Sequence, residues 1–376
     1  MISSHEIKSL YLHFPHCRHL CNYCDFFKSV PPDFDEARDV FQFRLENQWE
    51  QQEHWFESLG YRFAPLDTLY LGGGTPSLWG VNGAKWFEFL IPSKIQVNET
   101  TEWTMEVNPG AWENEGLKAW QDLGVNRFSM GVQSYNEKFL KVLDRFHDLS
   151  DVDSLLNRFR DHHFSVDLML GLPFSQTWSR DLKGEILRLI DSGAEHFSVY
   201  ILTVKDNYKH YKDLPSEEYI EEEYLLTSEL LRAHGFDHYE VSNFAKPGAR
   251  ARHNLKYWQA ESVAALGPSA VGYLADTGHR YKWKPNQDFF EIEELDQAAI
   301  DLERAYLQLR LDTGLNDFDK TLMSQDISTL ESLMQDWKKA GWLKPESTIS
   351  KIMLTPNGFL MMDSVTGDLL KSGLIK

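Results

Sequence analysis

The chain alternates short apolar runs with longer segments of helical period. Ser9–Phe14 reads as a strand. From about Phe34 to Leu59 the apolar positions recur at helical spacing, with Phe41, Leu45 and Trp49 on one stripe. Further strands are predicted at Asp67–Leu71, Trp103–Val107, Arg127–Met130, Ser165–Leu170 and His196–Ile201. Helices are predicted near Ala84–Leu90, Glu113–Asp122, Asn136–Asp144 with Val152–His162, Arg180–Ser192 and Glu217–His234. Six strand–helix units in a row predict an α/β fold, a parallel sheet with right-handed crossovers. Six is two short of a closed eight-stranded barrel.

After about residue 236 the pattern changes. Tyr239–Phe244 is strand-like and runs into the turn Ala245-Lys246-Pro247-Gly248. His253-Asn254-Leu255-Lys256-Tyr257-Trp258 follows, and Gly267-Pro268-Ser269 breaks the next apolar run. From about Glu291 the chain reads as short amphipathic helices, with Ile352–Thr355 and the turn Pro356-Asn357-Gly358. The expected organisation is a barrel domain over 1–235, a connecting segment over 236–290 and a C-terminal domain over 291–376. That last part looks small, mixed and mainly helical, of winged-helix type; an ordinary packing domain accounts for it equally well.

The unusual residues fall at the carboxyl ends of the predicted strands, where such a barrel carries its chemistry. A cysteine loop follows strand one and Gly72-Gly73-Gly74-Thr75-Pro76 follows strand two. Glu106-Val107-Asn108-Pro109 ends strand three, and Gly131-Val132-Gln133-Ser134 follows strand four. Asp167 with Gly171-Leu172-Pro173 marks strand five, and Tyr200 marks strand six. The six loops are therefore expected to build one site.

All three cysteines, Cys17, Cys21 and Cys24, lie in one stretch of eight residues. Three thiolates on a tight loop do not close a tetrahedral zinc site, which takes four ligands. A disulfide framework takes an even number. The Cys-x-x-x-Cys-x-x-Cys spacing suits a cubane iron–sulfur cluster with three irons on thiolates and one open. The plain alternative is three unrelated buried thiols.

This loop after a first strand resembles the signature of radical S-adenosylmethionine (SAM) enzymes. The resemblance implies a partial (β/α)6 barrel, a [4Fe–4S] cluster on Cys17, Cys21 and Cys24, and SAM at the open iron. Phe26 narrows it. Oxygen-independent coproporphyrinogen III oxidases typically carry a further Cys there, whereas an aromatic is similar to the HemW-type haem chaperones, a sister group. Those oxidases also carry a longer segment ahead of the loop. In the coproporphyrinogen oxidase-like family the positions of Tyr11, Gly73, Gly74, Thr75, Glu106, Gln133, Arg145 and Asp167 contact SAM, and Tyr23 and Phe26 of the Cys loop join the expected cofactor-binding set. Bare Gly backbone lets a ligand approach closely, and the Arg145 fork suits a carboxylate. The alternative for Arg145 is a surface pair with Asp144 or Asp148, which would contribute little.

His253-Asn254-Leu255-Lys256-Tyr257-Trp258 resembles the His-Asn-x-x-Tyr-Trp motif of HemW-type proteins, where it is associated with haem binding. Imidazole is a common axial haem ligand, so the resemblance implies His253 near a haem face with Tyr257 and Trp258 against the macrocycle. The alternative has the two rings packing a domain junction and His253 capping a turn. Tyr239–Ala245, Gly171-Leu172-Pro173 with Gln176-Thr177, and Leu309-Arg310-Leu311 near Gly314 are similar to the family as well. Two positions depart from it. Val271 stands where members often carry His, and Lys205 where an acidic residue is common.

Composition adds exclusions. A formal charge of −19 over 376 residues argues against a general nucleic-acid binder. No apolar run reaches the roughly 18–20 residues that a bilayer span needs, which leaves only peripheral membrane contact open. Reduced cysteines and no visible export signal point to the cytoplasm. The sequence thus predicts a cytoplasmic radical SAM protein of HemW type, which binds haem and delivers it to haem-requiring recipient proteins. The rival is a coproporphyrinogen III oxidase that decarboxylates by a SAM-derived radical. A plain electron-transfer iron–sulfur protein leaves the open iron and the Gly-rich loop unexplained.

Overall fold

The computed structural model describes residues 5–318 and 324–375. Six strands lie side by side in chain order, each parallel to the next. They are β1 (His5–Phe14), β2 (Tyr61–Gly73), β3 (Glu102–Val107), β4 (Arg127–Gln133), β5 (Phe164–Leu170) and β6 (His196–Ile201). The crossovers carry α1 (Phe34–Ser58), α2 (Gly80–Lys94), α3 (Asn114–Leu123), α4 (Glu137–Val142), α5 (Leu149–Phe159) and α6 (Leu182–Asp191), with α7 (Glu217–Ala233) after β6. Helix starts are set by side-chain caps: Asp33 accepts from the Asp35 and Glu36 amides, and Asp148 forms a capping box with Asp151.

The strand sequences explain the layering. Successive side chains point to opposite faces. One face carries Leu69, Leu71, Trp103, Met105, Phe128, Met130, Val166 and Leu168, all buried in the main core with Trp79, Phe87, Trp120 and Phe159. The other face carries Thr68, Tyr70, Thr104, Glu106, Arg127, Ser129, Ser165, Asp167, His196 and Ser198. It is polar and internally bonded: Ser129 donates to Asp167 at 3.1 Å, and Ser165 lies 2.7 Å from His196 Nδ1. A closed barrel of apolar layers would be a packed core. A polar interior instead leaves groups that a ligand can satisfy.

The barrel stays open. β9 (Ala264–Leu266) adds parallel to β1, and the hairpin of β7 (Asp237–Glu240) and β8 (Asn243–Ala245) adds antiparallel to β6. The stretch Tyr239–Phe244, read as one strand, is thus the end of one strand, a turn at Val241-Ser242 and the start of another. Buried Glu240 makes it so by accepting the Ser242 amide at 2.9 Å. β2 begins at Tyr61 rather than Asp67, because a register shift opposite Ile7–Ser9 accommodates Pro65.

Between β8 and β9 runs α8 (Arg252–Trp258), whose first amides are capped by Glu102 from β3. β10 (Val271–Leu274), β11 (His279–Trp283) and β12 (Phe290–Glu294) form an antiparallel sheet, so chain on both sides of residue 291 shares one ladder. The C-terminal part comprises α9 (Gln297–Leu309), β13 (Leu315–Asn316), α10 (Ser324–Lys339), β14 (Lys351–Ile352), α11 (Pro356–Leu360) and α12 (Met362–Lys371). Its two-strand ladder and helices match the small mixed, mainly helical architecture expected. Among the described residues no helix is long and apolar enough to cross a membrane.

Candidate cofactor site at the carboxyl end of the barrel

The loop after β1 is closed at its base. Cys17 N donates to Ser29 O and Ser29 N to Pro15 O, both at 2.8 Å. The glycine loop is clamped to the same base: Gly74 N donates to Phe14 O at 2.7 Å and Thr75 N to His16 O at 2.9 Å. A Cβ at Gly74 would lie 2.7 Å from His16 O, so glycine is required for the two loops to meet. The far side is held by Arg18, which donates to Gly110 O at 2.7 Å, and by Asn22, which donates to Val142 O at 3.3 Å.

The cysteines are free thiols, with Cys17 buried and Cys21 and Cys24 half-buried. Thr75 Oγ1 stands 3.6 Å from Cys17 Sγ as a donor, and Arg145 Nη1 stands 3.7 Å from Cys21 Sγ. Burial pushes the Cys17 thiol up to about 11 and raises Cys21, so without a metal both hold their protons at neutral pH. Metal binding would release those protons. The donor set fits thiolates bound to iron, since Thr75 and the Arg145 cation both favour negative sulfur. Among the described residues no three His, Cys, Asp or Glu side chains converge on a single ion. A cuboidal cluster takes its thiolates at separate corners and needs wider spacing.

Inside the barrel mouth lies a cavity of about 360 Å³. It is lined by Tyr23, Cys24, Phe26, Gly73, Gly74, Glu106, Gln133, Arg145 and Asp167, the greater part of the set read from sequence. Arg145 is the hub: its guanidinium donates to Asn108 Oδ1 at 2.7 Å, Gly131 O at 2.8 Å and Tyr23 Oη at 3.3 Å. Asn108 continues the chain to Thr75 Oγ1 at 2.9 Å. Arg145 therefore pairs with neither Asp144 nor Asp148. Gln133 reaches the cavity with φ of 68°, a left-handed conformation that is strained for a non-glycine residue. Burial pushes Glu106 up to about 8, aided by the nearby charge of Asp167, and burial raises Asp167 to about 6.

Three expected residues lie elsewhere, and buried Thr75, between Asn108 and Cys17, is the first. Tyr11 lines a neighbouring, outer cavity, with its hydroxyl 3.0 Å from His13 Nδ1. His253 lines neither cavity. It is 2 % exposed, its Nδ1 is 2.9 Å from Thr68 Oγ1, and its ring packs against Tyr70 and Tyr257. α8 turns the imidazole into the barrel wall, with Nε2 buried and without a hydrogen-bond partner among the described residues. Trp258 is also taken, with the Arg310 guanidinium 4.2 Å over its ring. It packs the junction toward α9.

The cavity also holds Tyr70 and Arg127, to which sequence reasoning gave no role, with Tyr200 of strand six and Asn254 of the His-Asn-x-x-Tyr-Trp motif. Period-two alternation within β2 and β4 points to the first two. Asn254 enters from α8 and is the residue of that motif that lines the inner cavity.

A family model for the radical SAM superfamily matches residues 11–181. The haem chaperone HemW of Bacillus subtilis is 31 % identical, and the match covers 97 % of this chain and 99 % of that protein. The chain belongs to the HemW family of radical SAM proteins. HemW of Lactococcus lactis is 30 % identical over 82 % of each chain. A bovine protein called radical S-adenosyl methionine domain-containing protein 1, mitochondrial, is 34 % identical over 72 % of this chain and 61 % of its own. Among solved structures, coproporphyrinogen III oxidase (HemN) from Escherichia coli superposes with a TM-score of 0.77, covering 97 % of this chain and 90 % of that one, at 20 % identity. That likeness shows the radical SAM fold. Within this HemW-family chain the two departures read from sequence lie close to the Cys loop. Lys205 pairs with Asp25 at 2.9 Å, and Val271 lines the outer cavity together with Cys21.

Proposed function

We propose that this chain is a haem chaperone that carries a [4Fe–4S] cluster on Cys17, Cys21 and Cys24, binds SAM in the barrel mouth, and delivers haem to haem-requiring proteins. The observation that carries the reading is the match over nearly the full length of both chains with a protein named haem chaperone. Phe26 supports it, since a phenyl ring offers no metal ligand where the sister oxidases carry a further Cys. The cluster, when bound, supplies an iron with an open position and one-electron chemistry.

The chain's own residues have distinct parts. Gly73 and Gly74 give backbone access for SAM, and Thr75 and Arg145 stabilise thiolate sulfur. Glu106, Gln133, Asp167 and Tyr23 present polar atoms to the cavity. In ionised form Glu106 and Asp167 attract the cationic ammonium and sulfonium groups of SAM. Free thiols as cluster ligands favour the cytoplasm.

The test is to incubate the anaerobically reconstituted protein with haem and, separately, with coproporphyrinogen III, SAM and reductant. Stoichiometric haem uptake without decarboxylation is expected. Multiple-turnover formation of protoporphyrinogen would replace this reading with the oxidase.

A further inference from the structure

Outside the barrel mouth, on the other side of the Cys loop, lies a second cavity of about 790 Å³. It is larger than the inner one and within the range of pockets that take sizeable organic ligands. The loop is the shared wall: Phe26 and Asp25 line both cavities, Cys24 the inner one and Cys21 the outer. The opposite wall is built by α8 and the β10–β11 hairpin, through Tyr257, Val271 and Lys282.

Three large apolar side chains on this cavity stand in water: Phe26 is 69 % exposed, Leu20 48 % and Val271 39 %. Apolar side chains clustered on a concave surface mark a site for an apolar partner. Two lysines beside them have no carboxylate partner among the described residues. Lys28 spends its ammonium on the backbone oxygens of Cys24 and Phe26. Lys282 lies across the ladder from Glu291, but Glu291 pairs with Lys284. In a chain of charge −19, two lysines without carboxylate partners among the described residues on one apolar cavity fit a flat apolar body with anionic ends.

From this geometry we infer that the outer cavity is the haem site, with the macrocycle between Phe26, Leu20 and Val271, the propionates on Lys28 and Lys282, and Tyr257 as the axial ligand. The inference rests on the haem-chaperone reading and gives that cargo a place other than His253. Tyr257 follows from the other lining groups. Both nitrogens of His13 are engaged, Nδ1 by Tyr11 Oη and Nε2 by Phe27 O. Asp25 is paired with Lys205, and Cys21 is a cluster ligand in this reading. Tyr257 reaches the cavity with no hydrogen-bond partner for its hydroxyl among the described residues, and its ring is braced edge-on against His253 at 5.4 Å. Tyrosine is an established class of haem ligand. On binding, the phenol proton passes to solvent as the Oη–Fe(III) bond forms, and no electron is transferred. With Cys21 and Phe26 in the shared wall, haem on one side and SAM on the other would each bear on the same Cys loop.

The experiment titrates ferric protoporphyrin IX, and its dimethyl ester, into the full-length reconstituted protein, read by the Soret band and the ferric phenolate charge-transfer band. Tyr257→Phe should lose the charge-transfer band and weaken binding about tenfold. The double variant Lys28→Ala, Lys282→Ala should weaken the free acid by a similar factor and leave the ester unchanged. Val271→His places an imidazole on the same wall, and should tighten binding and give a low-spin spectrum. It adds a ligand rather than removing one, so it keeps the test decisive if Tyr257→Phe fails to fold. Haem uptake by wild type with all three variants titrating identically would overturn this site and leave the chaperone reading standing. Absence of haem uptake by wild type would overturn the chaperone reading itself.

Discussion

Glu106 accepts the Gly73 amide through Oε2 at 3.0 Å, while its Oε1 takes the Tyr70 hydroxyl at 2.9 Å. The carboxyl thus holds the glycine loop to the barrel interior. Burial pushes it up to about 8 from an ordinary 4.5, with the charge of Asp167 adding to the effect. The native chain therefore keeps a proton that the unfolded chain loses as pH rises past the ordinary value. This contribution to stability is fully present below about 4.5 and is lost as pH climbs through about 8. Within that window each pH unit costs about 1.4 kcal/mol. The cofactor-free protein should melt lower at pH 8 than at pH 6, and Glu106→Gln should flatten the slope. Parallel slopes for the two proteins would show that Glu106 does not carry the linkage.

Gly73 has φ of +108°, and a Cβ there would lie 2.6 Å from the His13 ring. Gly73→Ala should cost about 1–3 kcal/mol from backbone strain alone. The displaced loop would also lose its Glu106 contact, so SAM affinity should fall while the thiols remain in place. Calorimetric titration of SAM into the reconstituted variant checks this, and wild-type affinity would show that the backbone approach is not used.

The barrel was legible because β4, β5 and β6 are short strands bounded by turn residues, so their starts at Arg127, Phe164 and His196 fall within a residue of the predicted ones. Cavity residues at strand ends, such as Glu106 and Asp167, followed from the same periodicity. What escaped was tertiary. Nothing local in His253-Asn254 says that α8 will be capped by Glu102 and turned inward, because that cap comes from 151 residues away. The outer cavity escaped for the same reason, since it joins the Cys loop to a hairpin near residue 271 and neither segment is concave alone.

Cluster content separates ligands from neighbours. Cys17→Ala, Cys21→Ala and Cys24→Ala should each abolish the iron–sulfur absorbance, because every thiolate holds one corner. Phe26→Ala should keep about four irons and four sulfides, the content of a [4Fe–4S] cubane. Iron and sulfide analysis after anaerobic reconstitution is the measurement, and zinc bound in place of iron–sulfur absorbance would end the cluster assignment.

Arg145 joins Gly131 O, Asn108, Tyr23 and Cys21 through one planar fork. Lysine has the charge and lacks the geometry. Arg145→Lys should lose two or more of these bonds, each about 1 kcal/mol net, and reduce SAM affinity about tenfold or more. Iron content should persist because all three thiolates remain. Equal SAM affinity in the two proteins would reduce Arg145 to a point charge.

Behind the cavity, Arg180 and Glu185 form a buried pair at 2.7 Å that braces two barrel loops. Arg180 Nη1 donates to Met169 O on β5 at 2.7 Å, and Met169 lines the inner cavity. Glu185 Oε2 accepts Ser134 Oγ at 2.6 Å and the Tyr135 amide at 2.7 Å, just after strained Gln133. Removing one partner strands the other charge in the core. Buried Glu223, 3.8 Å from Arg180 Nη1, loses its cation as well, so Arg180→Met should cost about 3–5 kcal/mol and the double variant Arg180→Met, Glu185→Leu should recover part of that stability. It cannot restore the acceptor for Ser134 and Tyr135, so the turn just after Gln133 loses a brace on its left-handed conformation. Denaturant unfolding should thus rank the double variant above Arg180→Met, while SAM titration should find it weaker than wild type. A double variant with recovered stability and wild-type SAM affinity would mean that the pair serves packing alone.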